Sequence, residues 1–238
     1  MSDNHKEKEK AMSLLQATGV YKTYRAGSVE TPALQGVDFA VEGGEFTAVV
    51  GPSGSGKTTL VNVLGGLDVP DRGQVFLDGQ EISSLSSRQL SDLRLKKIGF
   101  IFQAYNLIPV LSALENVEYV MLLQGVPAKK RREVSIAVME DLGLGDLINK
   151  RPNEMSGGQQ QRVAVARAIV SEPRIVLADE PTANLDSATA EKLLELMRGM
   201  NEKKGITFIF STHDPRVMET ARRVATLKDG RIVEDTKK

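Results

Sequence analysis

The chain has 238 residues, enough for one full hydrophobic core or for one domain carrying a small insertion. Lysine plus arginine number 31 and aspartate plus glutamate number 31, so the formal charge is zero and no overall field draws the chain to nucleic acid. There is no cysteine, which excludes a disulfide framework, a thiol nucleophile and a cysteine-ligated metal.

Met1 to Lys10 alternates charges without an apolar centre and reads as a solvated tail rather than a signal peptide. No apolar run approaches the roughly 20 residues of a membrane-spanning helix, so work at a membrane would need another chain to cross it. Leu14 to Tyr24 and Ala33 to Val41 read as strands of an edge sheet, separated by the polar Arg25 to Thr31. Tyr24 has two readings, a ring that stacks on a purine base or a half-buried strand tyrosine.

The next stretch organises the chain. The apolar run Phe46 to Val50 leads into Gly51-Pro52-Ser53-Gly54-Ser55-Gly56-Lys57-Thr58 and on into Thr59 to Leu64, a strand, a glycine loop and a helix. Glycines let successive backbone N–H groups turn inward on an anion, and the helix N-terminus adds partial positive charge. Lys57 would reach the β- and γ-phosphates of a nucleotide, and the Thr58 hydroxyl would help complete an Mg²⁺ oxygen shell.

The helix ends at Gly65-Gly66, a pair suited to a left-handed cap. A turn over Val69 to Gly73, a strand over Gln74 to Leu77 and a tight Asp78-Gly79 turn follow. Ser86 to Lys96 has helical spacing, and Ile98 to Phe102 reads as a buried strand running straight into Gln103. A glutamine there can sense a metal or a water, although alone it is an ordinary loop residue.

Residues 104 to about 160 change character. Ser112-Ala113-Leu114-Glu115 is a capping box opening a helix that Gly125 stops, and Pro127 opens a second helix closed by Gly143. Leu144 to Asn153 reads as a polar loop, and the basic run Lys129 to Arg132 as a solvated face. This all-helical insertion in an alternating chain suggests a small lobe. Ser156-Gly157-Gly158-Gln159 then starts a helix with Ser156 as N-cap. Two first-turn glycines cost roughly 1 kcal/mol each relative to alanine, so either bare amides there form a second anion site or the segment is a flexible loop.

Pro173 should break that helix, and Arg174 to Glu180 reads as an apolar strand ending in two carboxylates. Adjacent strand residues face opposite ways, so Asp179 would hold Mg²⁺ and Glu180 would face the attacking water. A loop over Pro181 to Asp186, a helix over Ser187 to Met200 and a strand over Ile206 to Phe210 lead to His213. That histidine would sit where ligands of open α/β sheets gather and could bond the γ-phosphate or the water. Val224 to Leu227, Asp229-Gly230 and Ile232-Val233 form a closing hairpin.

Together these residues resemble the nucleotide-binding subunit of ATP-binding cassette transporters over roughly residues 13 to 234. Residues 51–58 look like Walker A, Gln103 like the Q-loop, Ser156 to Gln159 like the signature, Ile175 to Asp179 like Walker B and Glu180 like the catalytic glutamate. Ala183-Asn184-Leu185-Asp186 resembles the D-loop, His213 the switch histidine and Tyr24 the adenine-stacking aromatic. Met155, where leucine is usual, and Ala183, where glycine or serine is frequent, remove no functional group.

The resemblance implies an α/β fold, a P-loop NTPase (RecA-like) core over 13–103 and 162–238 with an antiparallel β edge subdomain, and a helical subdomain over about 104–161. It implies an ATPase with ATP and Mg²⁺, nucleotide contacts from residues 51 to 59 including Thr59, metal contacts from Thr58, Gln103 and Asp179, and catalysis by Glu180, His213, Gln103 and Lys57. Ser156 to Gln159 would serve ATP held by a second copy, with Asp186 in the D-loop between them. Leu64 to Pro70 and Phe100 to Pro109 look like the branch of lipoprotein-releasing, macrolide-exporting and antimicrobial-peptide-resistance ATPases, with the cell-division ATPase FtsE nearby. That branch implies a peripheral subunit on the cytoplasmic face of the membrane, a permease with a large extracytoplasmic domain docking on the helical lobe, and no nucleic acid partner. The alternative is an FtsE-like mechanical switch acting on a cell-envelope enzyme.

Overall fold

Every residue of strand β3 (Phe46–Val50) is buried, which requires cover on both faces of its sheet. The computed structural model describes residues 13–238, so the tail expected over 1–12 lies outside the described residues. β3 lies between β8 (Thr207–Thr212) and β9 (Arg223–Lys228), parallel to both. β7 (Ile175–Asp179) pairs with β8 and β6 (Ile98–Ile101) with β7, again in parallel. β10 (Arg231–Lys237) turns back on β9, giving the order β10-β9-β3-β8-β7-β6. Because β3, β8, β7 and β6 run the same way, the loops that follow them leave from one edge of the sheet.

Strand alternation assigns each residue a face. Phe46, Ala48, Val50, Val176, Ala178, Phe208 and Phe210 belong to one core, whereas Val49, Ile175, Leu177 and Ile209 belong to the other. In the first core the Phe46 ring lies 5.5 Å from Phe208 and 4.6 Å from Phe210, tilted against both. That core receives α3 (Ala113–Leu123), α4 (Ala128–Asp141), α5 (Gly157–Ile169) and α6 (Ser187–Lys204). The second receives α1 (Lys57–Leu64), α2 (Ser87–Lys97) and the antiparallel sheet β2 (Val29–Val41), β1 (Leu15–Ala26), β4 (Arg72–Leu77) and β5 (Gln80–Glu81).

Several expected boundaries move. The loop expected over Arg25 to Thr31 is mostly strand, because Arg25 and Glu30 sit opposite each other and pair at 2.9 Å, leaving Gly27-Ser28 as the turn. Leu144 to Asn153 is not a purely polar loop. Leu144 is buried, and short 3₁₀ turns form at Gly145–Leu147 and Pro152–Glu154. α5 stops at Ile169, ahead of Pro173, where the chain turns through Glu172 at φ 51°. It also runs unbroken across positions 161 and 162, so lobe and core share one helix.

α6 continues past Met200 to Lys204, because the buried Asn201 carboxamide donates to the Gly44 and Ile206 carbonyls and ties the last turn to the sheet. α7 (Pro215–Thr220) was not expected, although Asp214 as N-cap followed by proline is a readable start signal.

Phe210 is fully buried between Phe46 and Phe208, one strand from β3. Phe210→Ala should therefore cost about 3–5 kcal/mol, read as a lower denaturant midpoint with an unchanged slope; a loss below about 1 kcal/mol would contradict this account of the core.

Candidate nucleotide site

Two hairpins press on the glycine loop. A Cβ on Gly51 would overlap the Leu227 carbonyl of β9, and one on Gly56, at φ 103°, would overlap the Ala33 carbonyl of β2. The Ser55 carbonyl accepts from the Gly230 N–H at 3.0 Å, in the turn between β9 and β10. Only glycine fits at these two approaches, and the loop is held in shape from outside.

Helix α1 behind the loop has no side-chain cap and no acidic residue in its first turn, whereas α2, α3 and α5 each carry a complete capping box. Its first amides are thus left for another acceptor, and the helix terminus contributes roughly half an elementary positive charge. Lys57 is buried, and its ammonium donates to the Gly51 and Pro52 carbonyls at 2.8 and 3.0 Å. This arches the side chain over the loop and leaves one of its three donors for an anion. The Ser55 hydroxyl is also buried in the loop with no partner among the described residues.

The Thr58 hydroxyl donates to Asp179 Oδ1 at 3.1 Å, which joins the start of α1 to the end of β7. No cluster of three metal-ligating side chains occurs among the described residues. One carboxylate and one hydroxyl beside a phosphate cradle suit Mg²⁺, which keeps waters and takes the remaining oxygens from its substrate.

Glu180 departs from the expected strand geometry. β7 ends at Asp179, and Glu180 adopts φ 46° with its N–H donating to the Ser211 carbonyl at 2.8 Å. The two carboxylates are therefore separated by a backbone turn rather than by strand alternation, at a cost of about 1–3 kcal/mol for a non-glycine residue there. Its Oε1 accepts from His213 Nδ1 at 2.7 Å and its Oε2 from the Thr212 hydroxyl at 3.1 Å. Both partners come from the end of β8.

These groups share a cleft of about 610 Å³ whose lining includes Tyr24, Gly54, Thr59, Gln103, Glu180 and His213. Gln103 lies two residues beyond β6 instead of directly on its end, because the strand stops at Ile101. The Tyr24 ring is partly exposed to the cleft, and its hydroxyl donates to Asp68 Oδ2 at 2.9 Å. Asp68 also pairs with Lys22 at 2.7 Å, so the tyrosine is anchored at its far end.

Ser156, Gly157, Gly158 and Gln159 do not line this cleft. The stretch is neither a flexible loop nor fully uncapped: the Gln159 N–H donates to Ser156 Oγ at 3.3 Å, and the Gln159 side-chain oxygen accepts from the Ser156 N–H at 2.8 Å. The glycines have a steric reason. A Cβ on Gly157 would crowd the Tyr105 hydroxyl, and one on Gly158 would overlap the Thr189 methyl. Asp186 caps α6, accepting from the Thr189 N–H and hydroxyl at 3.0 and 2.6 Å, which fixes that threonine.

The family model described as ABC transporter matches residues 34–183. The chain belongs to the ABC transporter family. It is 48% identical over 219 residues to an uncharacterized ABC transporter ATP-binding protein of Thermotoga maritima, covering 92% of this chain and 93% of that one. The lipoprotein-releasing system ATP-binding protein LolD of Anaeromyxobacter dehalogenans is 46% identical, with 94% and 95% covered. The macrolide export ATP-binding/permease protein MacB of Syntrophobacter fumaroxidans is also 46% identical over 93% of this chain, which spans 31% of that larger protein.

The dimeric post-hydrolysis structure of the ATP-binding cassette MJ0796 bound to ADP and Pi superposes with a TM-score of 0.88 at 41% identity, covering 94% of this chain and 98% of that one. This chain is accordingly an ABC ATPase of the LolD and MacB type, with ATP as its nucleotide and Mg²⁺ as its metal. No helix among the described residues is long and apolar enough to cross a membrane.

Reasoning from sequence missed the layer behind the site. Burial alone would push the Asp214 carboxyl up, but the Arg216 guanidinium at 2.7 Å, the Thr182 hydroxyl at 2.7 Å and the Arg216 N–H outweigh it and hold the group down at about 2. Asp214 thereby fastens the residue after His213 to the loop after Glu180. A depressed carboxyl contributes stability above its unfolded value near 3.8, and loses that contribution as pH falls toward 2. Asp214→Asn should therefore be less stable than the parent at pH 7, and denaturant titrations should show the gap narrowing between pH 4 and 2; a gap independent of pH would refute the ion-pair account.

Proposed function

We propose that this ABC ATPase powers a separate membrane permease as one half of a head-to-tail dimer. The observation that carries the reading is the division of the chain's own parts. The glycine loop, Thr58 and the Glu180–His213 pair meet at one cleft, with Asp179 held beside it by the Thr58 hydroxyl, while Ser156 to Gln159 lies outside it. A second copy would supply that stretch to the nucleotide, as the dimeric relatives suggest.

In this reading the amides of residues 51 to 59 and the Lys57 ammonium cradle the phosphates, and Tyr24 offers its face to the base. Thr58, Asp179 and Gln103 would hold Mg²⁺, which when bound would supply positive charge against the phosphates. Glu180 accepts the proton of the attacking water. His213 Nδ1–H and the Thr212 hydroxyl occupy its two oxygens from the end of β8, so the carboxylate is aimed before substrate arrives. Asp186, at the start of α6, faces the dimer partner through the same loop.

A permease segment would seat in the groove between core and lobe, about 350 Å³ and lined by Leu67, Leu95, Phe100, Phe102, Asn106 and Val120. The LolD and MacB names of the relatives support a partner of the export or lipoprotein-release type, with a large extracytoplasmic domain and this subunit on the cytoplasmic face.

Glu180→Gln keeps the shape of the side chain and removes the base. It should bind ATP, elute as a dimer with ATP present and lose about 10²- to 10⁴-fold in turnover. Near-parental hydrolysis would remove Glu180 from the role of base. The same variant, recovered from membranes with ATP, should retain a permease; retention of a cell-envelope hydrolase complex instead would move the reading to a mechanical switch.

A further inference from the structure

The segment after Gln103 is held in an unusual conformation. Tyr105 and Asn106 are consecutive non-glycine residues in the left-handed region, at φ 59° and 51°. Such a pair does not persist unless its surroundings impose it. Two side chains from elsewhere in the fold grip this segment. Arg167, on the helix that begins with the signature glycines, donates to the Tyr105 carbonyl at 2.8 Å and to the Asn106 carbonyl at 2.5 Å. Asn184, in the loop between Glu180 and α6, donates its side-chain N–H to the Gln103 carbonyl at 2.9 Å.

The Tyr105 side chain closes the arrangement. Its hydroxyl lies where a Cβ on Gly157 would crowd it, and the Asn184 carbonyl approaches the same point. The loop carrying Gln103, the start of the signature helix and the loop carrying Asn184 thus form one contiguous unit within a single protomer. Arg167 is partly buried with its guanidinium on carbonyls only, and burial lowers its affinity for its proton. A lysine there would replace the planar fork that spans the two carbonyls with a single point of charge on a flexible stem.

We propose that Asn184 and Arg167 are positioning residues for Gln103. Asn184 sets the Gln103 peptide from the loop that faces a second copy, and Arg167 sets the next turn from the signature helix. Gln103 reaches the metal and the phosphates only while both grips hold, so engagement of the partner copy is felt at Gln103 through Asn184. The inference rests on the reading of Gln103 as a group that contacts the metal and nucleotide.

Asn184 is exposed, so its variants test the idea without threatening the fold. Asn184→Asp is isosteric, loses the donor and sets a carboxylate against the Gln103 carbonyl. It should lower kcat about tenfold with KM for ATP within about twofold, because misplacing one contact penalises the transition state and leaves the phosphate cradle intact. Hydrogen exchange should speed up at the amides of residues 103 to 107. The gain in nucleotide affinity on adding Mg²⁺, measured with a fluorescent ATP analogue, should shrink, while affinity in the presence of a chelator should match the parent. Asn184→His, which restores an N–H donor, should recover part of the loss. Arg167→Lys should reproduce the exchange change at 105 to 107, with a thermal melt confirming that it folds.

Parental kcat, exchange and Mg²⁺ dependence in Asn184→Asp would overturn the proposal. Failure of the underlying reading has a different signature. Gln103→Ala would then leave the Mg²⁺-dependent gain intact, whatever Asn184→Asp does.

Discussion

The constraint on which the site depends is the common direction of β3, β8, β7 and β6. Parallel pairing between Val50 and Thr212 and between Asp179 and Ser211 brings three loop starts level with one another. The glycine loop follows the first of these strands, Glu180 the third, and His213 the second, so a phosphate cradle, a carboxylate and an imidazole meet without any long reach. Antiparallel pairing would send alternate loops to opposite edges. Burial on both faces is what makes the parallel arrangement stable, and the two hydrophobic cores provide it. The ends of these strands are consequently the polar rim of an otherwise apolar sheet.

Rigidity at that rim comes from polar ties between neighbouring loops rather than from further burial. Thr58 to Asp179 links the start of α1 to β7, Thr212 and His213 to Glu180 link the end of β8 to that of β7, and Thr182 to Asp214 repeats that link one layer back. Each joins segments far apart in sequence. Glu180 shows how the ties compensate a local cost: its left-handed backbone is unfavourable alone, yet it turns the carboxylate toward His213 and Thr212. Such preorganised polar groups stabilise developing charge without reorganising during reaction.

Legibility in the sequence followed the range of the interactions. Elements governed by local chemistry were readable: the capping box at Ser112, the N-cap at Ser156, the Asp78-Gly79 turn, the helix after the glycine loop and the closing hairpin. The length of β1 and β2 was not, because the Arg25–Glu30 pairing that extends them belongs to the register of two strands. Nor was the left-handed turn at Glu180, since nothing in Asp-Glu-Pro signals a backbone imposed by the Ser211 carbonyl of another strand. Asp214, Asn184 and Arg167 escaped for the same reason: an aspartate before proline, a loop asparagine and a helical arginine are ordinary until their distant partners are placed.

The signature glycines unite these points. Their first-turn cost in helix propensity is set against close approaches that any side chain would block, Gly157 to Tyr105 and Gly158 to Thr189. Ser156 and Gln159 meanwhile cap the helix reciprocally, using the hydroxyl on the chain's own amide. The hydroxyl's own proton stays available to an anion, since one serine oxygen can accept from the Gln159 amide and donate at the same time. The helix start is thus capped within the protomer, yet remains polar, accessible and packed against the loops that carry Gln103 and Asn184.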